Sequence, residues 1–515
     1  MDETVRKLKS AYDAVAYGSG VYLQTHPDLL AVAAALRGIS SENVERCRVL
    51  ELGCASGGNL IPMAEQLPES RFLGIDLSER QIETGLSIVR ELGLTNIELR
   101  CQDIMEFPAD AGQFDYIIAH GVYSWVPPHV QQKVLAIFRT HLAPRGIGFV
   151  SYNTYPGWRQ KEIVREMMLY HARDAADPVE QIARGREIVQ FVAEHTQGPE
   201  YYREFMRQSQ LLLAGKSDQF LLHDNMEAVN EPRYFRRFVE EVNASGLAYV
   251  GESGAGQDVW LKLSAPVRER IAKASANRLE REQYIDFLIV RTFRNSVLCL
   301  AEAVAEAASP ASGQMRDLFV AGNPPDVPAG TNAQGRPNFK FGTGDCQFIV
   351  SDPRLIAVLR HLRRAWPAPV PFAELLSAFS DQEADPDPKR PAQALELEIA
   401  AYYGVGLIEL WSRPSSVISL TPGVYPRATR FARWQAAHNL PVSSLRHSPA
   451  VLDDAFRQLI PLLDGTRDRK ALAAEILRRS DAGTGAAWPH KTPIELEQLI
   501  ESALNLLAGS RLLLK

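Results

Sequence analysis

At 515 residues, 46% hydrophobic and 23% charged, the chain has the makeup of a soluble globular protein with about two to four domains. A formal charge of −6 supplies no basic footprint and makes nucleic acid an unlikely partner. No apolar run approaches the roughly 18 residues of a membrane span, and the N-terminus lacks the apolar core of a signal peptide, so a cytoplasmic protein is expected. Cys47, Cys54, Cys101, Cys299 and Cys346 are scattered without a Cys-x-x-Cys pair, which reads as reduced thiols rather than disulfides or a zinc set.

Residues 49–151 alternate strand and helix as a parallel sheet requires. Strands are predicted at Val49–Leu52, Arg71–Asp76, Ile97–Arg100, Tyr116–Ala119 and Gly146–Tyr152. After Tyr152, the stretches 158–176, 178–195 and 200–214 carry apolar residues at helical spacing, and 159–215 reads as a helical insertion. Residues 219–229, a helix over 232–245 and a short strand at Ala248–Gly251 are expected to complete the sheet. Residues 264–308 read as helical again, and Gly322–Gly344, rich in Gly, Pro and Asn, as a linker or long loop.

Beyond it, two stretches each read helix, helix, helix, strand. One spans Pro353 to Leu410, the other Leu452 to Leu514, and two winged-helix-like units in tandem would explain both. The expected division is 1–255, 256–344 as a helical middle region with linker, and 345–515. Arg427, Arg430 and Arg433 read as a solvated helix face rather than a nucleic-acid contact.

The chemistry concentrates at Val49-Leu-Glu-Leu-Gly-Cys-Ala-Ser-Gly-Gly-Asn59. An apolar strand ends in Glu51 and Gly53 and turns through small residues, letting a ligand approach the backbone closely. Ala55 stands where a dinucleotide turn expects its second glycine, and the Gly-Lys-Ser/Thr of a phosphate-binding loop is absent. The pattern suits a cofactor without phosphates whose end carries an amine and a carboxylate. Asp76 closes the second strand, where a ribose diol would bind, and Asp103 follows the third.

These residues resemble the first motifs of class I S-adenosylmethionine-dependent methyltransferases. The resemblance implies an α/β fold, a Rossmann-like doubly wound sheet with a helical insertion, and here a mostly α, winged-helix-like C-terminal region. It implies cofactor contacts at Glu51, Gly53, Ala55, Gly57, Asn59, Asp76, Leu77, Asp103, Ile104 and His120. Tyr17, Tyr22, Thr25 and His26 precede the first strand, where such enzymes often carry a lid; a surface helix is the alternative. The fourth strand ends in Ala119-His-Gly-Val-Tyr-Ser-Trp-Val-Pro127 in place of the Asp/Asn-Pro-Pro-Tyr/Phe of DNA adenine and glutamine methyltransferases, which disfavours those substrates. Tyr123, Trp125, Asn153, Tyr155 and Trp158 form the candidate acceptor pocket, whose aromatic faces suit a cationic amine.

Further segments extend the resemblance to methyltransferases that carry a methyltransferase regulatory domain, including rickettsial protein lysine methyltransferases. They are Tyr12–Tyr17, Leu222–Phe235, Gly246–Glu252, Gln283–Phe287 and Arg291–Asn295. This implies S-adenosylmethionine as cofactor, no metal, and a protein lysine as methyl acceptor. A small-molecule acceptor, a homodimer and a non-catalytic cofactor sensor stay open as alternatives.

Overall fold

In the computed structural model the described residues are 18–306, 315–343, 346–380, 389–414, 418–419, 421–481, 488 and 492–515; Tyr12 to Tyr17 lie outside them. Seven strands form the central sheet: β1 (Arg48–Leu52), β2 (Arg71–Asp76), β3 (Ile97–Cys101), β4 (Phe114–Ala119), β5 (Leu142–Asn153), β6 (Leu247–Glu252) and β7 (Phe293–Leu300). Their order is β3-β2-β1-β4-β5-β7-β6. The first five run parallel, whereas β7 lies antiparallel between β5 and β6. Leu50, Leu52, Ile117 and Ile118 are fully buried, as a parallel sheet covered on both faces demands. Strand order reverses between β1 and β4, so a crevice opens outside their carboxyl ends.

Three sequence expectations need correction. Residues 264–308 are not helical throughout: helices Ala265–Ala274 and Arg278–Ile289 lead into β7. Val290, at φ +50°, turns the chain out of the second helix, and the Arg291 N–H closes onto the Asp286 carbonyl. The polar run Arg294-Asn-Ser296 hides the strand, because Arg294 is buried only through partners elsewhere in sequence. Its guanidinium meets Asp286 at 2.7 Å and Glu252 at 2.8 Å, and lies over the Phe235 ring.

Residues 219–229 do not complete the sheet either. Helix Asp218–Asn225 buries Leu221 and Leu222 in the same cluster as Met168, Val189 and Met206, from helices Gly157–His171, Pro178–His195 and Glu200–Ala214. The insertion therefore has its own small core. Third, residues 322–343 of the expected linker are largely sheet, and Gly344 lies outside the described residues. Strands Asp326–Thr331, Pro337–Thr343 and Cys346–Val350 pair antiparallel, and the Asn332 side chain accepts the Gln334 and Arg336 N–H groups in the connecting turn.

The C-terminal region has two further cores, one around Leu359, Phe372 and Ile399, the other around Leu459, Leu472 and Leu504. Both units dock on the sheet domain through acids that accept backbone N–H groups. Asp28, in helix Pro27–Ala35, takes the Ser412 N–H at 2.5 Å and hydroxyl at 2.6 Å. Glu65 takes the N–H groups of Arg430 and Phe431 at the start of helix Arg430–Ala437, where the helix dipole favours a negative charge. Trp434 adds a bond to Glu91. The Arg430 side chain itself stays half exposed, and its guanidinium also reaches the Leu92 carbonyl.

Removing Arg294 strands two buried carboxylates. Arg294→Met should cost about 3–5 kcal/mol in denaturant unfolding; a loss below about 1 kcal/mol would show that the cluster does not hold β7 in place.

Candidate functional site

The crevice is built by a left-handed turn. Gly53, Ala55 and Gly57 have φ of +72°, +49° and +75°. A Cβ on Gly53 would lie 2.4 Å from Val122 Cγ2, so only glycine fits there. Ala55 accepts a left-handed strain of roughly 1–2 kcal/mol, offset by its N–H bond of 2.8 Å to Asp76 Oδ2. Asp76 Oδ1 takes the Ser78 N–H at 2.9 Å, so one carboxylate clamps both the first and the second strand-to-helix turns.

Glu51 closes β1 beneath this turn. Its Oε1 accepts from Asn59 Nδ2 at 2.7 Å, whereas Oε2 is buried with no protein partner. Burial pushes the carboxyl up to about 8, the Asn59 bond working against this and Asp76 adding to it. Asn59 also donates to Thr25 Oγ1 at 3.0 Å, and its Oδ1 accepts the Tyr22 N–H at 3.2 Å. Ser19 Oγ accepts the Gly58 N–H at 2.7 Å. The segment before β1 therefore lies across the glycine turn, as a lid would.

These groups line a cavity of about 660 Å³, of the size that small-molecule sites occupy. Of the cofactor residues expected from sequence, Glu51, Gly53, Ala55, Asn59, Asp76, Leu77, Asp103, Ile104 and His120 are on its wall; Gly57 is not, and packs behind it on Leu99. Asp103 caps a short helical turn through the Met105 N–H. Ser151 Oγ accepts the Gly121 N–H and shares a hydrogen bond of 2.9 Å with His120 Nδ1. Burial lowers the His120 pKa to about 4, keeping the ring neutral. The Tyr22 ring packs 4.0 Å from the His120 ring, centroid to centroid.

The cavity continues past His120. Trp125, Asn153 and Trp158 line this end. Tyr123 and Tyr155 do not. Tyr123 is a core residue set edge-on to Phe238, and Tyr155 bonds Glu162 at 2.6 Å under the Arg159 guanidinium. The wall is completed by residues that sequence reasoning did not single out, among them Lys161, Phe205, Phe220, Asp224 and Asn225 from the insertion and Phe293 from β7. Trp125 and Trp158 stand edge to face at 5.9 Å, and the Lys161 ammonium lies 4.9 Å over the Trp158 ring. Asp224 Oδ2 is buried without a protein partner; burial raises the carboxyl's pKa, and Lys161 opposes the rise. The signal for Asp224 was its position in the quoted Leu222–Phe235 segment, but nothing local tied it to a site.

An unpartnered buried carboxylate oxygen, acids ending β2 and following β3, and no phosphate-binding lysine suit a cofactor with a cationic amino acid end, a ribose and no phosphates. With this sheet order, they define a class I S-adenosylmethionine-dependent methyltransferase. The chain matches the families described as Methyltransferase domain over residues 49–146, Predicted methyltransferase regulatory domain over 217–300, and PKMT, C-terminal winged helix domain over 425–512. An uncharacterized Rickettsia prowazekii (strain Madrid E) protein, RP789, is 30% identical over 487 residues, 92% of this chain and 86% of that one. A second, RP028, is 34% identical over 236 residues, 45% of this chain and 94% of its own. The structure of PKMT2 from Rickettsia typhi, also solved in complex with AdoHcy, has the same fold at TM-score 0.79 and 24% identity, covering 96% of this chain and 100% of that one. The chain belongs to the family of RP789, methyltransferases that join a class I domain to a methyltransferase regulatory domain and a PKMT winged-helix domain.

Folding raises the Glu51 pKa from 4.5 to about 8, so its stabilising contribution is complete below pH 4.5 and is lost as pH rises through 8. Glu51→Gln keeps the acceptor for Asn59 and removes the titration. The variant should gain on the order of 4 kcal/mol over wild type between pH 5 and 8.5 in thermal unfolding, while its S-adenosylhomocysteine affinity falls.

Proposed function

We propose that this methyltransferase acts on the side-chain amine of protein lysine residues. The observation that carries the reading is the far end of the cavity. There an ammonium already rests on an aromatic face, Lys161 over Trp158, on the same wall as a carboxylate with a buried, unpartnered oxygen, Asp224. The fold shared with PKMT2 supports it.

S-adenosylmethionine, when bound, supplies an already activated methyl group. In this reading Glu51 Oε2 holds its amine, Asp76 its ribose and Asp103 its adenine. His120, neutral and oriented by Ser151, marks the passage between cofactor and acceptor. Trp125 and Trp158 hold the incoming amine by their faces, and Asn153 offers a polar contact. The acceptor must lose a proton before it attacks; Asp224, whose pKa is raised, is placed to take it. Most of the rate then comes from positioning. We also propose a division in which the catalytic unit runs from residue 18 to β7 and the two C-terminal units follow. A cytoplasmic location belongs to the same proposal, supported by free thiols at Cys47, Cys54, Cys101 and Cys299. Among the described residues, no helix is long and apolar enough to cross a membrane.

The test uses cofactor labelled in its methyl group, incubated with bacterial surface-protein extract and, separately, with a metabolite pool. Radioactive methyllysine after acid hydrolysis is expected; label confined to small molecules would end the lysine reading. Trp158→Ala and Asp224→Asn should each raise acceptor KM or lower kcat about tenfold or more, with S-adenosylhomocysteine affinity in calorimetry unchanged.

A further inference from the structure

The oxygen of Asn59 that faces away from Glu51 has a partner 388 residues away. His447 Nε2 lies 2.7 Å from Asn59 Oδ1, with both side chains buried. His447 sits at the tip of a hairpin, strands Val442–Ser443 and Pro449–Ala450, that reaches from the last C-terminal unit into the sheet domain. The tip is built for insertion. Ser444 accepts the His447 N–H at 3.0 Å, the Ser444 N–H bonds the Ser448 carbonyl, and His447 adopts φ +54°, unusual for a residue with a side chain. Beside it, the buried Arg446 guanidinium stacks over Trp411, bonds Glu409 and donates to the Pro367 carbonyl at 3.1 Å.

The donors and acceptors settle which atom does what. Asn59 Nδ2 donates to the Glu51 carboxyl, so Oδ1 is the atom turned to His447, and His447 must donate. Its ring is neutral, since burial lowers the pKa to about 3, and the proton is therefore on Nε2 while Nδ1 is bare and unpartnered. A flipped Asn59 amide would set its oxygen against Glu51 and its NH₂ against the His447 N–H. The imidazole thus locks the one amide orientation that delivers a donor to Glu51 Oε1 and leaves Oε2 for a ligand.

We propose that His447 is a positioning residue of the cofactor site, so that the C-terminal unit completes the machinery which binds the methyl donor. The contact fixes Asn59, Asn59 fixes Glu51, and the same amide takes the Tyr22 N–H of the segment lying over the turn. Cofactor affinity therefore depends on how the hairpin is seated.

Full-length His447→Gln and His447→Leu separate this role from simple packing. Glutamine keeps an N–H donor at a similar reach; leucine keeps apolar bulk and removes the donor. Calorimetry with S-adenosylhomocysteine should show His447→Leu binding about tenfold more weakly and His447→Gln within about threefold of wild type. Added to Asn59→Ala, His447→Leu should weaken binding little further, because both act through one network. The proposal is overturned if His447→Leu binds as wild type, if leucine and glutamine lose affinity alike, or if the two losses add. Wild-type binding in the same experiment tests the cofactor assignment itself. Thermal unfolding without ligand reports folding: a leucine variant that melts like the glutamine variant yet binds more weakly supports positioning, and one that has unfolded leaves the Gln, Asn59→Ala and Gln/Ala double variants to decide.

Discussion

Glu51 is a carboxyl group held out of water at the end of β1, and the crevice is arranged around the difficulty of keeping it there. An isolated buried carboxylate is costly, and this one has a single strong neutral donor, Asn59, and a nearby negative charge, Asp76. The remaining oxygen is unsatisfied until something cationic arrives. Asn59 must be oriented for this to work, and its other contacts come from the segment before β1 and from the far end of the chain. One side-chain amide thereby joins three parts of the molecule that the sequence keeps apart.

The same economy governs the domain junctions. Asp28 and Glu65 are acids of the sheet domain that satisfy N–H groups of the C-terminal units, one at a chain turn and one at a helix start. A helix N-terminus leaves several N–H groups without intrahelical partners, and placing it on another domain's carboxylate makes docking specific without a large apolar interface. The basic helix Arg430–Ala437 uses this arrangement to face the sheet domain.

What was legible in the sequence was local. The glycine turn and Asp76 sit at the ends of short apolar strands and Asp103 just past the third strand, so strand and bend are written within a few residues of one another. What escaped was made of distant partners. β7 was hidden because Arg294 looks like a surface residue until Asp286 and Glu252 neutralise it. Tyr123 and Tyr155 have the same side chain and similar neighbours in sequence, yet one fills the core against Phe238 and the other is turned toward Glu162. No periodicity distinguishes these from Trp125 and Trp158. His447 carries no local mark at all, apart from a hairpin whose destination only the fold reveals.

Lys161, Phe205, Phe220, Asp224 and Asn225 all belong to the stretch 157–225, which has a core of its own and leaves and rejoins the sheet domain at two points. The groups beneath the glycine turn come from other segments entirely. In the proposed reading much of the acceptor end is thus carried on a piece of polypeptide separate from the donor site, with Trp125, Asn153 and Phe293 of the sheet domain completing it. Exchanging the helices between residues 157 and 225 as a block for those of a relative then reshapes the acceptor end without disturbing the groups beneath the glycine turn.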